Sequence, residues 1–381
     1  MTATTWAREH LFRNRRDSIT TVVAGLVVGW VVFRVVRFAL VTGRWEVVRT
    51  NLTLFLVGRY PTGELWRVVV ALVAAEKAGE PLPARSISDH VTDVLVRYWP
   101  LLALVLLLLL FAGTVTPWLV AAATVGATVL GRIVGALVPT GAGRALFALP
   151  FVLPVILLPF LTGPLGWDSW GGLMLTLLLA SVSMLACFPL GVLLALGRRS
   201  GFPALRVVSV GIIEFFRGVP LVVLVLMSDV ALGFFFPRDL LPGKVVRVII
   251  AFTIFTAAYV AEIVRGGLQS VPRGQTEAAQ AVGLSPVRIT ALIVLPQALR
   301  NVIPALVGQF ISLFKDTTLV FIIGFLDVLT VADNITKQPD FRGQGLIAET
   351  LIFAALLFWV GCYTLSRESQ RLERRLGVGQ R

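Results

Sequence analysis

Residues 246–265 read VRVIIAFTIFTAAYVAEIVR, and this mostly apolar run decides the fold. An α-helix needs roughly 20 such residues to cross the hydrocarbon core of a bilayer, and the run has that length. A polar stretch follows at 269–289, QSVPRGQTEAAQAVGLSPVRI, and a second apolar run occupies 301–325. A span, a polar loop and another span in succession predict a helical membrane protein.

The composition supports this prediction. The chain has 381 residues, of which 57% are hydrophobic and 14% are charged. Soluble domains average about 45–50% apolar and about 25% charged residues, so an ordinary soluble protein is excluded. The alternation of apolar and polar residues that is typical of a transmembrane β-barrel is absent. The α-helix is the other structure that satisfies all its backbone hydrogen bonds within lipid. We therefore predict an all-α polytopic membrane protein.

The apolar runs also indicate how the chain is divided. Nine runs long enough to cross lie near 18–42, 98–113, 117–138, 145–163, 171–197, 207–236, 246–265, 301–325 and 346–365. A stretch rich in Gly and Trp at 162–172 interrupts them and reads as an exposed turn. We predict an N-terminal membrane region with extra helices over 1–165 and a core of five helices over 166–381.

The formal net charge of +13 comes largely from arginines in short segments between the runs. This placement follows the positive-inside rule and argues against nucleic acid as a partner. It predicts that both termini are cytoplasmic, which requires an odd number of crossings before residue 171. The short stretch Trp66–Ala75 is the candidate for a fifth. Alternatively one run lies in the interface, or residues 8–35 are a cleavable signal peptide.

Few side chains are suited to bind a metal. The two cysteines, Cys187 and Cys362, lie inside apolar runs and are expected to be buried free thiols. The two histidines, His10 and His90, lie in polar flanks. We predict no metal site.

The polar stretch after the first quoted run has helix signals of its own. Thr276–Val282 is rich in alanine, and Gly283 can adopt the left-handed conformation that closes such a helix. Ser285 is a suitable N-cap and Pro286 a suitable first residue for a second helix. We therefore predict a structured loop over 266–300, although a merely solvated connector is the alternative.

This loop offers a surface for a partner. The small side chains of Ala278 and Ala279 would let another surface approach closely, while Glu277 and Arg288 supply charge at its edge.

Polar residues inside the apolar runs are the next candidates, because an unpaired charge in lipid is costly. Gln309, Ser312 and Asp316 share one helical face. They either line a substrate path, with Asp316 facing an ammonium group, or make a helix-packing contact to a partner chain. A pairing of Asp316 with Lys315 or an arginine near the outer interface is a further alternative.

Two pairs of opposite charge are spaced three residues apart. Glu262 with Arg265 and Glu214 with Arg217 are predicted as intrahelical ion pairs near the cytoplasmic ends of their helices, with a substrate contact as the alternative for the first pair. The role of Glu349 stays open.

The residues around the loop carry a resemblance. The spacing from Glu277-Ala278-Ala279 through Gly283 to Leu295-Pro296 is similar to the EAA signature of ABC importer permeases. The neighbouring motifs resemble the polar amino-acid uptake branch, which includes histidine, glutamine and arginine permeases. These motifs are EFFRGVPL (214–221), YVAEIVRGGLQSVPRGQTEAAQAVGL (259–284), LPQALRNVIPALV (295–307) and LFKDTTLVFIIG (313–324).

Upstream, RWEVVRTNLTLFLVGRYPTGELWRV (44–68) resembles general or neutral L-amino-acid permease subunits with extra N-terminal helices. Residues 76–140 depart from that pattern, as an inserted helical hairpin would.

The resemblance implies a type I ABC importer transmembrane domain in a bacterial inner membrane, preceded by additional helices. Its loop would couple to the ATPase through Glu277, Ala278, Ala279, Gly283, Leu284, Ser285 and Arg288. The implied partners are a dimer of ATP-binding subunits, a second related permease chain and a periplasmic amino-acid-binding protein. No G-x-x-x-x-G-K-[ST] sequence occurs, so ATP and Mg would bind to the partner ATPase, and this chain would hold no cofactor and catalyse no reaction.

Two other classes compete with this interpretation. A secondary transporter driven by an ion gradient would need inverted repeats and paired ion ligands, and no internal repeat is evident. A membrane-embedded enzyme would need a nucleophile and a base, and neither H-E-x-x-H nor G-x-S-x-G occurs.

Overall fold

The structure is a computed structural model that describes residues 14–59, 170–231, 234 and 242–377. Within these ranges the chain is helical, and the one strand-like pairing is an isolated bridge between Gly172 and Asp327. The predicted all-α class is confirmed. The predicted runs between 98 and 163, the stretch Trp66–Ala75 and the boundary near 165 lie outside the described residues.

Twelve α-helices occur in the described ranges and are numbered here in chain order. They are α1 (Arg15–Arg37), α2 (Glu46–Thr50), α3 (Leu52–Val57), α4 (Gly172–Arg198), α5 (Pro203–Gly218), α6 (Leu221–Val230), α7 (Lys244–Ser270), α8 (Arg273–Ala281), α9 (Pro286–Ile289), α10 (Leu295–Asp316), α11 (Val328–Ile335) and α12 (Ile347–Leu376). Turns of π-helix occur at Phe38–Thr42 and Thr290–Val294, and a 3-10 helix at Thr317–Ile323.

Five helical segments of the described chain are long and apolar enough to cross a membrane. They are Asp17–Thr42, Gly172–Arg198, Lys244–Ser270, Pro286–Ile323 and Ile347–Arg374. Each overlaps one of the predicted runs, so the chain is a multi-pass membrane protein.

The predicted run at 207–236 is bent. Helices α5 and α6 meet within it at an angle of 102°. Val219, which joins them, is extended (φ −96°, ψ 132°). The residue before a proline is disfavoured in the helical region, and Pro220 has no N–H to continue the helix. We call this α5–α6 corner the elbow.

Close packing joins the three helices that carry the loop and the elbow. Helix α4 packs along α7, and a Cβ built on Gly191 would lie 2.5 Å from Val260 Cγ1. Helix α7 crosses α10 at Gly267, where a Cβ would lie 2.6 Å from the Ala298 carbonyl oxygen. Both contacts require glycine, because any larger residue would force the backbones apart.

The segment that holds α2 and α3 packs on the far side of the bundle from the loop. Phe55 meets Phe353 of α12 edge to face, with ring centroids 5.0 Å apart. The Asn51 carboxamide oxygen accepts a hydrogen bond from Gln338 (3.1 Å). Glu349 is buried and accepts a hydrogen bond from the Arg44 backbone N–H (3.0 Å), which gives it a structural role.

We expect Gly191→Ala to destabilise the protein by about 1–3 kcal/mol, because the added methyl group overpacks the α4–α7 contact. Gly266→Ala is the matched control, since its Cβ would meet no atom beyond its own turn of helix within 4 Å. Thermal unfolding in detergent measures the difference. Equal melting temperatures for the two variants would contradict the packing described here.

Candidate functional site

The polar loop contains a well-formed helix, α8. It begins at Arg273, three residues before the predicted start at Thr276, and Pro272 stands at its N-cap position. The short link from α7 to α8 therefore includes a proline with a fixed φ angle, which limits its freedom.

The C-terminus of α8 is a Schellman motif. The Leu284 N–H donates to the Ala279 carbonyl oxygen (3.1 Å), and the Gly283 N–H donates to the Gln280 carbonyl oxygen (2.9 Å). Gly283 has a φ of +77°, so the predicted left-handed closure is confirmed. Two backbone hydrogen bonds thus fix the turn, and the lack of a Cβ atom allows Gly283 to adopt the left-handed conformation that the turn needs.

The second half of the loop differs from the prediction in two respects. Pro286 opens α9 as predicted, but the Ser285 side chain makes no capping hydrogen bond. Helix α9 is also not separate, because the π-helical turn at Thr290–Val294 joins it to α10 in one segment. Pro296 lacks the N–H that would bond to the Leu292 carbonyl oxygen, and a local change of helical register accompanies that lost bond.

The loop presents an exposed surface, which we call the loop face. Val282 and Val287 are 75% and 77% exposed, whereas Ala279 is 3% exposed. Ala279 therefore packs inward, and Ala278 alone of the two alanines faces outward; Leu284 is half-buried. The loop face consists of Glu277, Ala278, Val282, Gly283, Ser285, Val287 and Arg288.

Side-chain hydrogen bonds tie the base of the loop to the spans. Asn301 of α10 donates to the Ser270 hydroxyl oxygen (2.9 Å), and this hydroxyl donates to the Gly267 carbonyl oxygen (2.8 Å). Gln297 donates to the Gln275 side-chain oxygen (3.4 Å). Together with the close contact at Gly267, these bonds hold the loop rigidly on α7 and α10.

The predicted pairs Glu214–Arg217 and Glu262–Arg265 lie in one network. Arg265 contacts Glu262 at 2.8 Å, while Arg217 and Glu214 are 3.9 Å apart. Arg198 at the end of α4 links the two pairs, since its Nη1 lies 2.9 Å from Glu214 and 2.7 Å from Glu262. We call these five residues the inner network.

Sequence reasoning missed the role of Arg198. By sequence, Arg198 is only one of the arginines between the apolar runs. Its partners lie 16 and 64 residues away along the chain, so no local spacing could have revealed them.

The stripe predicted on α10 is placed on that helix. Gln309, Ser312 and Asp316 are all half-buried, and Asp316 is the last residue of α10. No salt bridge to Asp316 occurs within the described part of the chain, where Lys315 is its sequence neighbour. The stripe and the loop face are thus joined by one continuous helical segment.

A second group of charges was also missed. Asp229 of α6 lies 3.3 Å from Lys244 and 3.5 Å from Arg247, both in the first turn of α7. Next to it an open apolar groove of about 180 Å³ runs between the elbow and α7, lined by Phe216, Leu224, Met227, Arg247, Ile250 and Ile254 among others. No group of three metal-binding side chains occurs among the described residues.

Comparison with known proteins gives consistent matches. Residues 187–378 match the family described as binding-protein-dependent transport system inner membrane component. The glutamate/glutamine/aspartate/asparagine transport system permease protein BztC of Rhodobacter capsulatus is 35% identical, over 97% of this chain and 93% of that protein.

The inner membrane amino-acid ABC transporter permease protein YhdY of Escherichia coli is 47% identical over 212 residues. That match covers 56% of this chain and spans 57% of the relative's length. A solved structure described as an amino acid ABC transporter with histidines is 28% identical, with a TM-score of 0.47, over 62% of this chain and 99% of that one.

We expect single cysteines at Val282 and Val287 to react rapidly with a water-soluble maleimide when this chain is expressed without partner subunits in a background lacking Cys187 and Cys362, because both positions are exposed. Ala279→Cys is the buried control on the same loop and should react slowly. The sequence-based orientation further predicts labelling in inverted vesicles and not in intact cells. Rapid labelling at position 279 would contradict the loop face as defined here.

Proposed function

Because the chain belongs to the family of binding-protein-dependent transport system inner membrane components, we propose that it is the transmembrane permease subunit of an ATP-driven amino-acid importer. It forms half of the translocation pathway. The observation that carries the proposal is the loop face, an exposed surface held rigidly on two spans. An ion-gradient transporter has no need of such a surface.

The loop face couples this chain to a separate ATP-binding subunit. Val282 and Val287 supply apolar contact area on either side of the Gly283 turn, and Glu277 and Arg288 supply charge at its rim. Apolar centres with polar rims are usual for protein interfaces. ATP and Mg bind to that partner, which hydrolyses the nucleotide, while this chain holds no cofactor and is not catalytic.

The assembly contains two permease chains, a dimer of ATP-binding subunits and a periplasmic amino-acid-binding protein. The second permease is a related chain, with a homodimer as the alternative. The complex lies in a bacterial inner membrane with both termini of this chain in the cytoplasm. The arginine-rich segments and the names of the relatives support this location.

Amino acids are the substrate class, as the names of the relatives suggest. Within the membrane, Gln309, Ser312 and Asp316 line the path. Asp316 is half-buried and forms no salt bridge with any described residue, so a carboxylate is available for the ammonium group that all free amino acids carry.

We expect Asp316→Asn to raise the KM for uptake several-fold while ATP hydrolysis stays measurable, because the attraction to the ammonium group is lost. Asp333→Asn, an exposed carboxylate on α11, is the control. Competition by each of the twenty amino acids against a labelled substrate in the same vesicles defines which amino acids the importer accepts. An unchanged KM in Asp316→Asn would exclude this residue from the path.

We expect Gly283→Asp to abolish uptake and the stimulation of ATP hydrolysis, because it places a side chain and a charge in the left-handed turn at the centre of the loop face. Non-glycine residues in this conformation cost roughly 1–2 kcal/mol. The measurement uses the complete complex in liposomes. Gly274→Asp is the matched control, since it adds the same charge to α8 at an exposed position with open space around its Cβ. Normal coupling in Gly283→Asp would refute the proposed function.

A further inference from the structure

The inner network is centred on one carboxylate. Glu262 of α7 lies 2.7 Å from Arg198, 2.8 Å from Arg265 and 3.7 Å from Arg217. Arg198 also contacts Glu214 of α5 at 2.9 Å. Three helices, α4, α5 and α7, are therefore connected through a single side chain.

This carboxylate is close to the loop. Arg265 continues from the network to the Gln269 side-chain oxygen (3.2 Å), one residue before α7 ends. Arg199, the residue that follows α4, donates to the Leu268 carbonyl oxygen (3.3 Å) in the same turn. Any displacement of the last turn of α7 would therefore act directly on the C-terminal end of α4.

The network also contacts the elbow, through Arg217. Arg217 is the residue before the last one of α5, where the chain bends by 102° into α6. The Tyr259 hydroxyl donates to the Arg217 carbonyl oxygen (3.5 Å), and the Arg217 guanidinium lies 5.8 Å from the centre of the Tyr259 ring. Helix α7 therefore contacts the elbow through Glu262 and Tyr259.

The centre of the network, the contact of Glu262 with Arg198, is less exposed than an ordinary surface ion pair. The Glu262 side chain is 16% exposed, and Arg198 is 26% exposed. Exposed ion pairs contribute little because water screens them, whereas a partly buried carboxylate that loses its cations is left uncompensated. Arg265 lies on α7 itself and moves with Glu262, so keeping the contacts to Arg198 and Arg217 while α7 moves requires α4 and the end of α5 to move with it.

We propose that Glu262, held by Arg198, is the positioning residue that passes the movement of the loop to the elbow. The proposal rests on the proposed function, since it assumes that the loop is driven by an ATPase. This role requires Glu262 to contact neither the ATPase nor the substrate. It makes the elbow follow α7 each time the loop is displaced.

The test compares uptake with ATP hydrolysis in the same liposomes, using the complete complex. In Glu262→Gln the uptake per ATP hydrolysed should fall by about tenfold, a typical size for coupling between distant sites. ATP hydrolysis itself should continue, because the loop face is intact. Glu262→Asp keeps the charge and should recover most of the ratio.

A second variant addresses the elbow alone. Glu214→Gln removes the α5 carboxylate, which is 54% exposed, and should lower the same ratio less strongly. It keeps the proposal testable if Glu262→Gln does not assemble. Glu368→Gln is the matched control, because Glu368 forms an i,i+3 pair with Arg371 on α12, away from the elbow.

The outcomes separate this proposal from the proposed function. Unchanged ratios in Glu262→Gln and Glu214→Gln, or a parallel loss of uptake and hydrolysis, would overturn the role of the inner network. If Gly283→Asp nevertheless uncouples the complex, the proposed function stands without it. If Gly283→Asp has no effect, the proposed function itself fails.

Discussion

The structure depends on the close contact of α7 with its neighbours at two glycines. Gly191 lets α4 approach Val260, and Gly267 lets α7 approach the Ala298 backbone. Lipid gives helices no hydrophobic reason to associate, so such small-residue contacts supply the van der Waals packing that holds a bundle together. Because α4, α7 and α10 are fixed to one another, a displacement of the loop mounted on α7 and α10 would move the three helices together.

The charges near the spans follow from the same environment. Among the described residues two groups lie near the two ends of α7, the inner network around Glu262 and the opposite group around Asp229. In each group carboxylates are matched to cations on a neighbouring helix. A low dielectric strengthens these pairs and penalises any charge left alone. Each group therefore both sets helix position and resists separation.

The sequence predicted those parts of the fold that depend on length and local chemistry. The apolar runs marked the spans, and Gly283 and Pro286 marked the ends of the loop helices. Contacts between distant residues were not predictable, as Arg198 with Glu262 and Arg44 with Glu349 illustrate. The inward side of Ala279 was missed because it depends on what packs against α8. The break at Pro220 was overlooked although its signal was present, since the apolar run continues through it.

The two connections of the loop explain how it can act mechanically. On one side, Pro272 fixes the link between α7 and α8, and Ser270 is bonded to Asn301. On the other side no non-helical connector separates the loop from the span, because α9 continues through a π-helical turn into α10 as one segment up to Ile323. A flexible connector would absorb a push on the loop face. A helix that begins in the loop face and ends beyond Asp316 carries the push along its own axis to the residues of the proposed substrate path.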